Sequence, residues 1–408
     1  MRSDFQMTSI EVPAIIDTDV SIPIELAGVD INTLTPEDED ELQSGYVPEQ
    51  DDNPLRVAPP DRRLVTQPYD LVVRTIVSQI QDKSLLVQPP YQRGYVWDEG
   101  RASRLIESLL MNIPIPACYF AEEDSGVNTV IDGQQRLSSI WRFVHNHFKL
   151  RGLRTLTEFN GKAFKDLTER EQRLILGRTI RCIVITQESH AEVRFEVFER
   201  LNTGGMQLTD QEIRNAIYRG DFNDLIKKLA EQPRWIKTLS KSRLDKRMRD
   251  DELVVRFFAV HDNYKTYQAP LRQFLNIYTI SKGKVLDDTE KQRLTTLFEQ
   301  TVDKVFLVFK DHAFRIYNRD TKGWERQINR ALFDAVMLVF SNLPEDKLSK
   351  QRRSIETELK KLCGNQKFLQ VVSRSTADRS SFFTRVKLFS EAMATIDLDS
   401  GIHQTISI

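Results

Sequence analysis

Residues 117–147 read ACYFAEEDSGVNTVIDGQQRLSSIWRFVHNH. Two short apolar runs, Ala117 to Ala121 and Val127 to Ile131, flank the turn-forming Glu123-Asp124-Ser125-Gly126, which predicts a β-hairpin. Leu137 to His147 then carries the apolar spacing of a helix. Between strand and helix stands Asp132-Gly133-Gln134-Gln135-Arg136. A strand-to-helix turn directs backbone N–H groups outward and adds the positive end of the helix dipole. Gly133 permits a positive φ or close approach of a ligand. Arg136 offers a planar fork for phosphate oxygens. Asp132 is a candidate to hold a metal ion or orient water, and Gln134 and Gln135 supply neutral donors and acceptors. The same pentapeptide also suits a plain capped turn, and its chemistry leaves the two readings level.

Outward from this stretch, strand and helix patterns interleave. Leu71 to Ile80 has helical spacing, Leu85-Leu86-Val87 reads as a strand end before Pro89-Pro90, and Arg101 to Met111 as an amphipathic helix stopped by Pro114 and Pro116. Thr179 to Thr186 is a further strand. After about residue 190 the pattern turns helical. Ala191 to Leu201 comes first, then a helix opened by the capping box Thr209-Asp210-Gln211-Glu212, then segments near 222–231, 250–264, 287–310, 324–342, 345–362 and 379–395. The clearest stripe is Trp324, Ile328, Leu332, Ala335 and Val339. The fold class is therefore α+β: an α/β N-terminal domain at about 61–205 and a mainly α-helical domain at about 206–398.

Charge is segregated along the chain. Residues 1–55 carry one base, Arg2, against fourteen acids, a net of −13, while the remainder has 57 bases and 45 acids, a net of +12. Residues 1–60, with the run Glu37 to Glu41, predict a disordered acidic arm dispensable for folding. The sharper alternative for the arm is an internal mimic of a polyanion. Lys237, Lys241, Arg243, Lys246, Arg247 and Arg249 fall within thirteen residues and are candidates for DNA phosphate contacts, as are Arg319, Lys322, Arg326 and Arg330. Solvated helix faces are the plainer account of both groups. Cys118, Cys182 and Cys363 lie far apart and predict buried thiols rather than disulfides or a zinc site. No apolar stretch approaches a membrane span and no signal peptide is read, so the expected location is the cytoplasm.

Two further segments are rich in polar groups. Gln88-Pro89-Pro90-Tyr91-Gln92-Arg93-Gly94-Tyr95-Val96-Trp97 combines amphipathic rings with Gln92 and Arg93; the rings are expected in the core and Arg93 at a site. Phe198-Glu199-Arg200-Leu201-Asn202-Thr203-Gly204-Gly205 reads alone as a helix C-cap, with Asn202 as a candidate ligand contact.

Together, Tyr91-Gln92-Arg93 with Tyr95 and Trp97, Ile131 through Leu137, Phe198 through Gly205 with Leu208-Thr209, and Glu212-Ile213-Arg214-Asn215-Ala216 resemble the N-terminal domain of GmrSD-type modification-dependent restriction endonucleases. The resemblance covers residues 66–220 well and implies a ParB/sulfiredoxin-like fold. It implies an NTPase of a DNA restriction and antiviral defence system, with a nucleoside triphosphate, accompanied by Mg2+, as cofactor. Carried over, Asp132, Gln134, Gln135 and Arg136 are catalytic, and Gln92, Arg93, Gly133, Arg136 and Asn202 bind nucleotide. Many members also carry a nuclease domain with a His-Asn-His metal site. The six histidines here form no such cluster after residue 220, and His145 and His147 are two apart on an expected helix. DNA, a separate nuclease subunit and an oligomer are the implied partners. Two rival readings are a non-catalytic DNA-binding adaptor using nucleotide as a switch, and a nickase acting through the ParB-like domain.

Overall fold

The computed structural model describes residues 42, 44–47, 62–87, 95, 97–123, 126–201 and 208–406. The N-terminal unit opens with β1 (Thr66–Val72), α1 (Val73–Gln81), β2 (Leu85–Leu86) and α2 (Glu99–Leu110). It continues through β3 (Cys118–Glu122), β4 (Asn128–Asp132), α3 (Gln134–Val144), α4 (Glu169–Leu176) and β5 (Thr179–Ile185). The strands form one mixed sheet in the order β1-β5-β3-β4-β2. The expected hairpin is the antiparallel β3–β4 pair, while β3 runs parallel to β5 and β4 parallel to β2.

Alternation along the strands decides what covers each face. Cys118, Phe120, Val130, Ile180, Cys182 and Val184 point into a core shared with α1, α2, α3 and α4. Ala121, Ile131 and Ile185 point to the other face, where α5 (Ala191–Leu201) and α6 (Asp210–Ile217) bring Phe195, Phe198, Ile213 and Ala216. So α6, expected to begin the helical domain, packs with the sheet. All three cysteines are free and buried, and burial pushes Cys118 and Cys363 up to about 11 and Cys182 up to about 12.

The second unit holds α7 (Asp221–Ala230), α8 (Pro233–Thr238), α9 (Arg249–Asn263), α10 (Leu271–Ser281) and α11 (Asp288–Phe309). A two-stranded ribbon of β6 (Tyr317–Asn318) and β7 (Gly323–Trp324) leads to α12 (Arg330–Ser341), then α13 (Glu345–Leu362), α14 (Gln366–Ser373), α15 (Arg379–Ala394) and α16 (Ile402–Thr405). Residues 330–340 of α12 are all buried, so this helix is the axis about which the others pack. Trp324, expected on that helix, lies instead in β7, stacked on His312 with ring centroids 5.3 Å apart. The helix starts later because Asn329 caps it, its side chain accepting from Leu332 N at 2.7 Å.

Part of the acidic arm belongs to this core. Tyr46 is fully buried, bridges Ile328 in parallel, and donates its hydroxyl to Asp250. Lys241 and Arg330 lie over its ring at 4.1 and 5.0 Å, and Ser44 accepts from Arg249 at 2.8 Å. Residues 44–47 are thus seated in the fold, contrary to the expectation of a free arm; the rest of residues 1–60 lies outside the described residues.

Asp251, 7% exposed on α9, is a buried acid with a pH signature. Burial and then the Asp250 charge push it from 3.8 up to about 7. The folded protein therefore holds this proton more tightly than the unfolded chain. The contribution of Asp251 to stability is fully present in acid, falls as pH rises through the window from 3.8 to about 7, and levels off above. The advantage of Asp251→Asn over the parent should grow by about 2–3 kcal/mol between about pH 5 and about pH 8 in urea titrations. A pH-independent difference would mean that Asp251 titrates normally.

Candidate functional site

The β4–α3 turn is built around one glycine. Asp132 ends β4, Gly133 has a φ of 103°, and α3 begins at Gln134. A Cβ on Gly133 would sit 2.5 Å from Cys118 Sγ and 3.0 Å from Cys118 Cβ. Glycine is thus required both by the left-handed backbone and by the close approach of β3. Gly133→Ala should cost about 2–4 kcal/mol, combining the left-handed penalty with overpacking. A melting temperature equal to the parent's would show that β3 and the turn are not packed this tightly.

The start of α3 is bare, a property it shares with α1, α8, α10 and α15. It has no side-chain cap and no acidic residue to offset the dipole. α6, by contrast, has the full Thr209–Glu212 capping box expected from the sequence.

Arg136 turns inward. Its guanidinium is paired with Asp132, donates to the Pro116 carbonyl, and donates to the Ala117 carbonyl at 3.1 Å. Its side chain is 12% exposed and that of Asp132 is 41% exposed. The fork expected to meet phosphate instead ties the end of β4 to the segment entering β3, and leaves Asp132 as the accessible member of the pair.

Gln135 accepts from Trp97 N at 3.2 Å, which fastens the segment before α2 to α3. One turn on, Ser139 Oγ donates to the Gln135 carbonyl at 2.7 Å and lies 3.0 Å from the Tyr95 hydroxyl. The Arg142 guanidinium sits 4.2 Å from the Tyr95 ring centre. Trp97 packs against the core as expected, whereas Tyr95 lines a cavity of about 430 Å3 beside α1, β2 and α3. Ser138, Trp141, Arg142 and His147 also line it. Arg142 makes no ion pair among the described residues, and the buried Trp141 Nε1 has no hydrogen-bond partner among them. α3 ends at Val144, so His147 folds back and both His145 and His147 reach Trp141, at 4.3 and 5.2 Å.

Ser138, Trp141, Arg142 and His147 were not read as site residues from the sequence. Their signal was present: Ser138, Trp141 and Arg142 share a helix face at i, i+3 and i+4, away from the Leu137, Ile140 and Phe143 stripe. Gln92, Arg93 and Asn202 lie outside the described residues. No group of three or more His, Cys, Asp or Glu able to hold a metal occurs among the described residues.

The basic cluster divides. Lys241 pairs with buried Asp250 at 2.7 Å, Arg247 with Glu212 at 3.4 Å and Arg249 with Asp245 at 3.1 Å. These three are internal, which corrects the reading of Lys241 and Arg247 as DNA contacts; Arg243 and Lys246 are exposed. Arg330 is likewise buried. No helix among the described residues is long and apolar enough to cross a membrane.

A family model described as GmrSD restriction endonuclease, N-terminal domain, matches residues 73–219. No curated protein matches the chain.

Proposed function

Residues 73–219 belong to the GmrSD restriction endonuclease N-terminal domain family, and from that premise we propose that the chain binds and hydrolyses a nucleoside triphosphate beside the β4–α3 turn to control the cutting of DNA. The observations that carry this reading are the uncapped start of α3, with no acid in its first turn, and, along the later turns of the same helix, a cavity lined by two aromatic side chains and an arginine without an ion-pair partner among the described residues. Phosphate oxygens suit the N-terminal turn of α3 with Gln134 and Gln135. A base suits Tyr95 and Trp141, and Arg142 supplies positive charge in the cavity they line.

In this reading Asp132 orients the attacking water, and Arg136 acts as a positioning residue that holds the Asp132 carboxylate. Magnesium bound to substrate phosphates needs only one or two protein carboxylates, and half-exposed Asp132 meets that requirement. DNA contact, if made by the helical unit, falls to exposed groups such as Arg243 and Lys246 rather than to Lys241 or Arg247.

The test is phosphate release by the full chain with each of four nucleoside triphosphates, with and without DNA. Hydrolysis is expected with at least one of them. A Gln134→Ala/Gln135→Ala variant and Arg142→Met should each lower the rate by about tenfold or more while remaining folded. Neither binding nor hydrolysis of any triphosphate by the parent would overturn the proposal.

A further inference from the structure

A second cavity, of about 420 Å3, lies where the Glu122 end of the sheet meets the helical unit. In the β3–β4 register Tyr119 pairs with Asp132 and Glu122 with Asn128, so this cavity is at the opposite end of the strands from the β4–α3 turn. Its walls come from β3, α5, the end of α6, and the end of α10 with the loop after it. The two units are pinned there by Gly220: a Cβ on it would sit 2.5 Å from the Lys284 carbonyl oxygen, and Asp221 N donates to that same oxygen at 2.9 Å.

One charge in this cavity, on Arg194, has no ion-pair partner among the described residues. Arg219 is held by Glu123 at 2.6 Å and by Thr129 Oγ1 at 3.1 Å. Glu122 accepts from Gln187 N at 3.4 Å, and Lys284 is exposed at the rim. Arg194 is different: its guanidinium makes no hydrogen bond or ion pair among the described residues, and its Nε is buried without an acceptor. The Tyr218 hydroxyl is also buried without a partner among the described residues. Burial lowers the Arg194 pKa, and burial and then the Glu192 charge raise that of Tyr218; both side chains line the cavity. Two buried donors at one cavity, one of them a cation, have no hydrogen-bond acceptor among the described residues and suit one brought by a ligand. Phe198, Ile217, Phe222 and Ile280 give the remainder of the wall an apolar character.

We propose that this cavity is a second ligand site, built for a small organic anion with a phosphate or carboxylate head on a flat apolar body. The head group meets Arg194 and Tyr218, and the body lies against the apolar wall. The volume lies within the range of about 300–1,000 Å3 usual for small-molecule sites. Because its walls come from both units, a ligand there would couple the family domain to the helical unit. The proposal stands apart from nucleotide hydrolysis at the β4–α3 turn.

The experiment is calorimetric titration of the full chain with AMP, phenyl phosphate and benzoate, with adenosine and inorganic phosphate as body-only and head-only controls. At least one of the three aromatic anions should bind about tenfold or more tightly than either control, and whether it is a phosphate or the carboxylate identifies the head group. Arg194→Met should weaken that binding by about tenfold or more and Tyr218→Phe by a smaller factor. Arg194→Met should also melt no lower than the parent, since it removes a buried cation that lacks a partner. The Gln134→Ala/Gln135→Ala variant should bind phenyl phosphate or benzoate as the parent does and lose only whatever share of AMP binding belongs to the β4–α3 turn, which separates this site from the first. The proposal is overturned if none of the three anions binds the Gln134→Ala/Gln135→Ala variant at millimolar concentration, or if adding Arg194→Met to that variant leaves the binding as tight. A marked loss of melting temperature in Arg194→Met would also overturn it, because Arg194 would then be a structural partner, for instance of Glu122.

Discussion

An Asp334→Ala variant is expected to lose about 3–5 kcal/mol, enough to unfold much of the helical unit under mild denaturant. Asp334 is 1% exposed in the middle of α12, between Arg256 on α9 and Arg385 on α15, which are 0% and 1% exposed. Arg256 grips the carboxylate with Nε at 2.5 Å and Nη2 at 2.8 Å, and Arg385 Nη2 reaches Oδ2 at 2.6 Å. Arg385 also donates to the Thr376 carbonyl at 2.6 Å. Removing the one anion leaves two guanidinium groups facing each other in a dry core, and the cost is that of uncompensated buried charge rather than of a lost contact. Replacing all three by apolar side chains of similar volume should restore most of the stability, whereas Asp334→Asn should fall between. Urea titration separates these outcomes. A loss below about 1 kcal/mol for Asp334→Ala would mean that water reaches the triad.

This triad also marks where the helical unit could not be read in advance. A stripe with Asp334 and two arginines from helices far apart in sequence is invisible to a periodicity argument, because ion pairing among α9, α12 and α15 is purely tertiary. Periodicity did locate α9, α11, α13 and α15 to within a few residues. It failed at Trp324, whose spacing to Ile328 and Leu332 is helical although Asn329 caps the helix after both Trp324 and Ile328. It also failed at β1. Pro68 and Asp70 look like breakers, and Leu71 and Val72 blend into the helical spacing of α1. Yet β1 is an exposed edge strand, where a proline is tolerated because one side of the strand needs no ladder partner.

The candidate site was legible as a strand, a glycine and a helix start, because those features are local. The direction of Arg136 was not, since two of its acceptors are the carbonyls of Pro116 and Ala117, brought in by the hairpin. The cavity beside α3 needed the packing of α1 and β2 as well. The basic cluster misled for the same reason: counting charges along residues 237–249 cannot show that Asp250 and Glu212 neutralise Lys241 and Arg247 inside the protein.

Deleting residues 1–47 is expected to cost about 3–5 kcal/mol, while deleting residues 1–40 should leave folding stability unchanged. The contrast rests on Tyr46, which is fully buried in the helical core. Its loss opens a cavity the size of an aromatic ring and removes a donor from Asp250, which keeps Lys241 Nζ at 2.7 Å and the Asp245 backbone N–H at 2.6 Å. Tyr46→Ala in the full chain should therefore reproduce most of the loss, and Tyr46→Phe only about 1–2 kcal/mol of it. Equal melting of the two truncations would show that the 44–47 segment is not docked. The same pair of proteins disentangles the acidic arm's effect on DNA. If the arm competes electrostatically for exposed bases such as Arg243 and Lys246, the 1–40 deletion alone should tighten DNA binding, most at low salt, where charges act beyond about 10 Å. If only the 1–47 deletion does so, the gain comes from a different source: Lys241 loses the Tyr46 ring and Arg249 loses Ser44, and the uncovered cations, still paired with Asp250 and Asp245, rather than the absent acids, then account for the added attraction to phosphates.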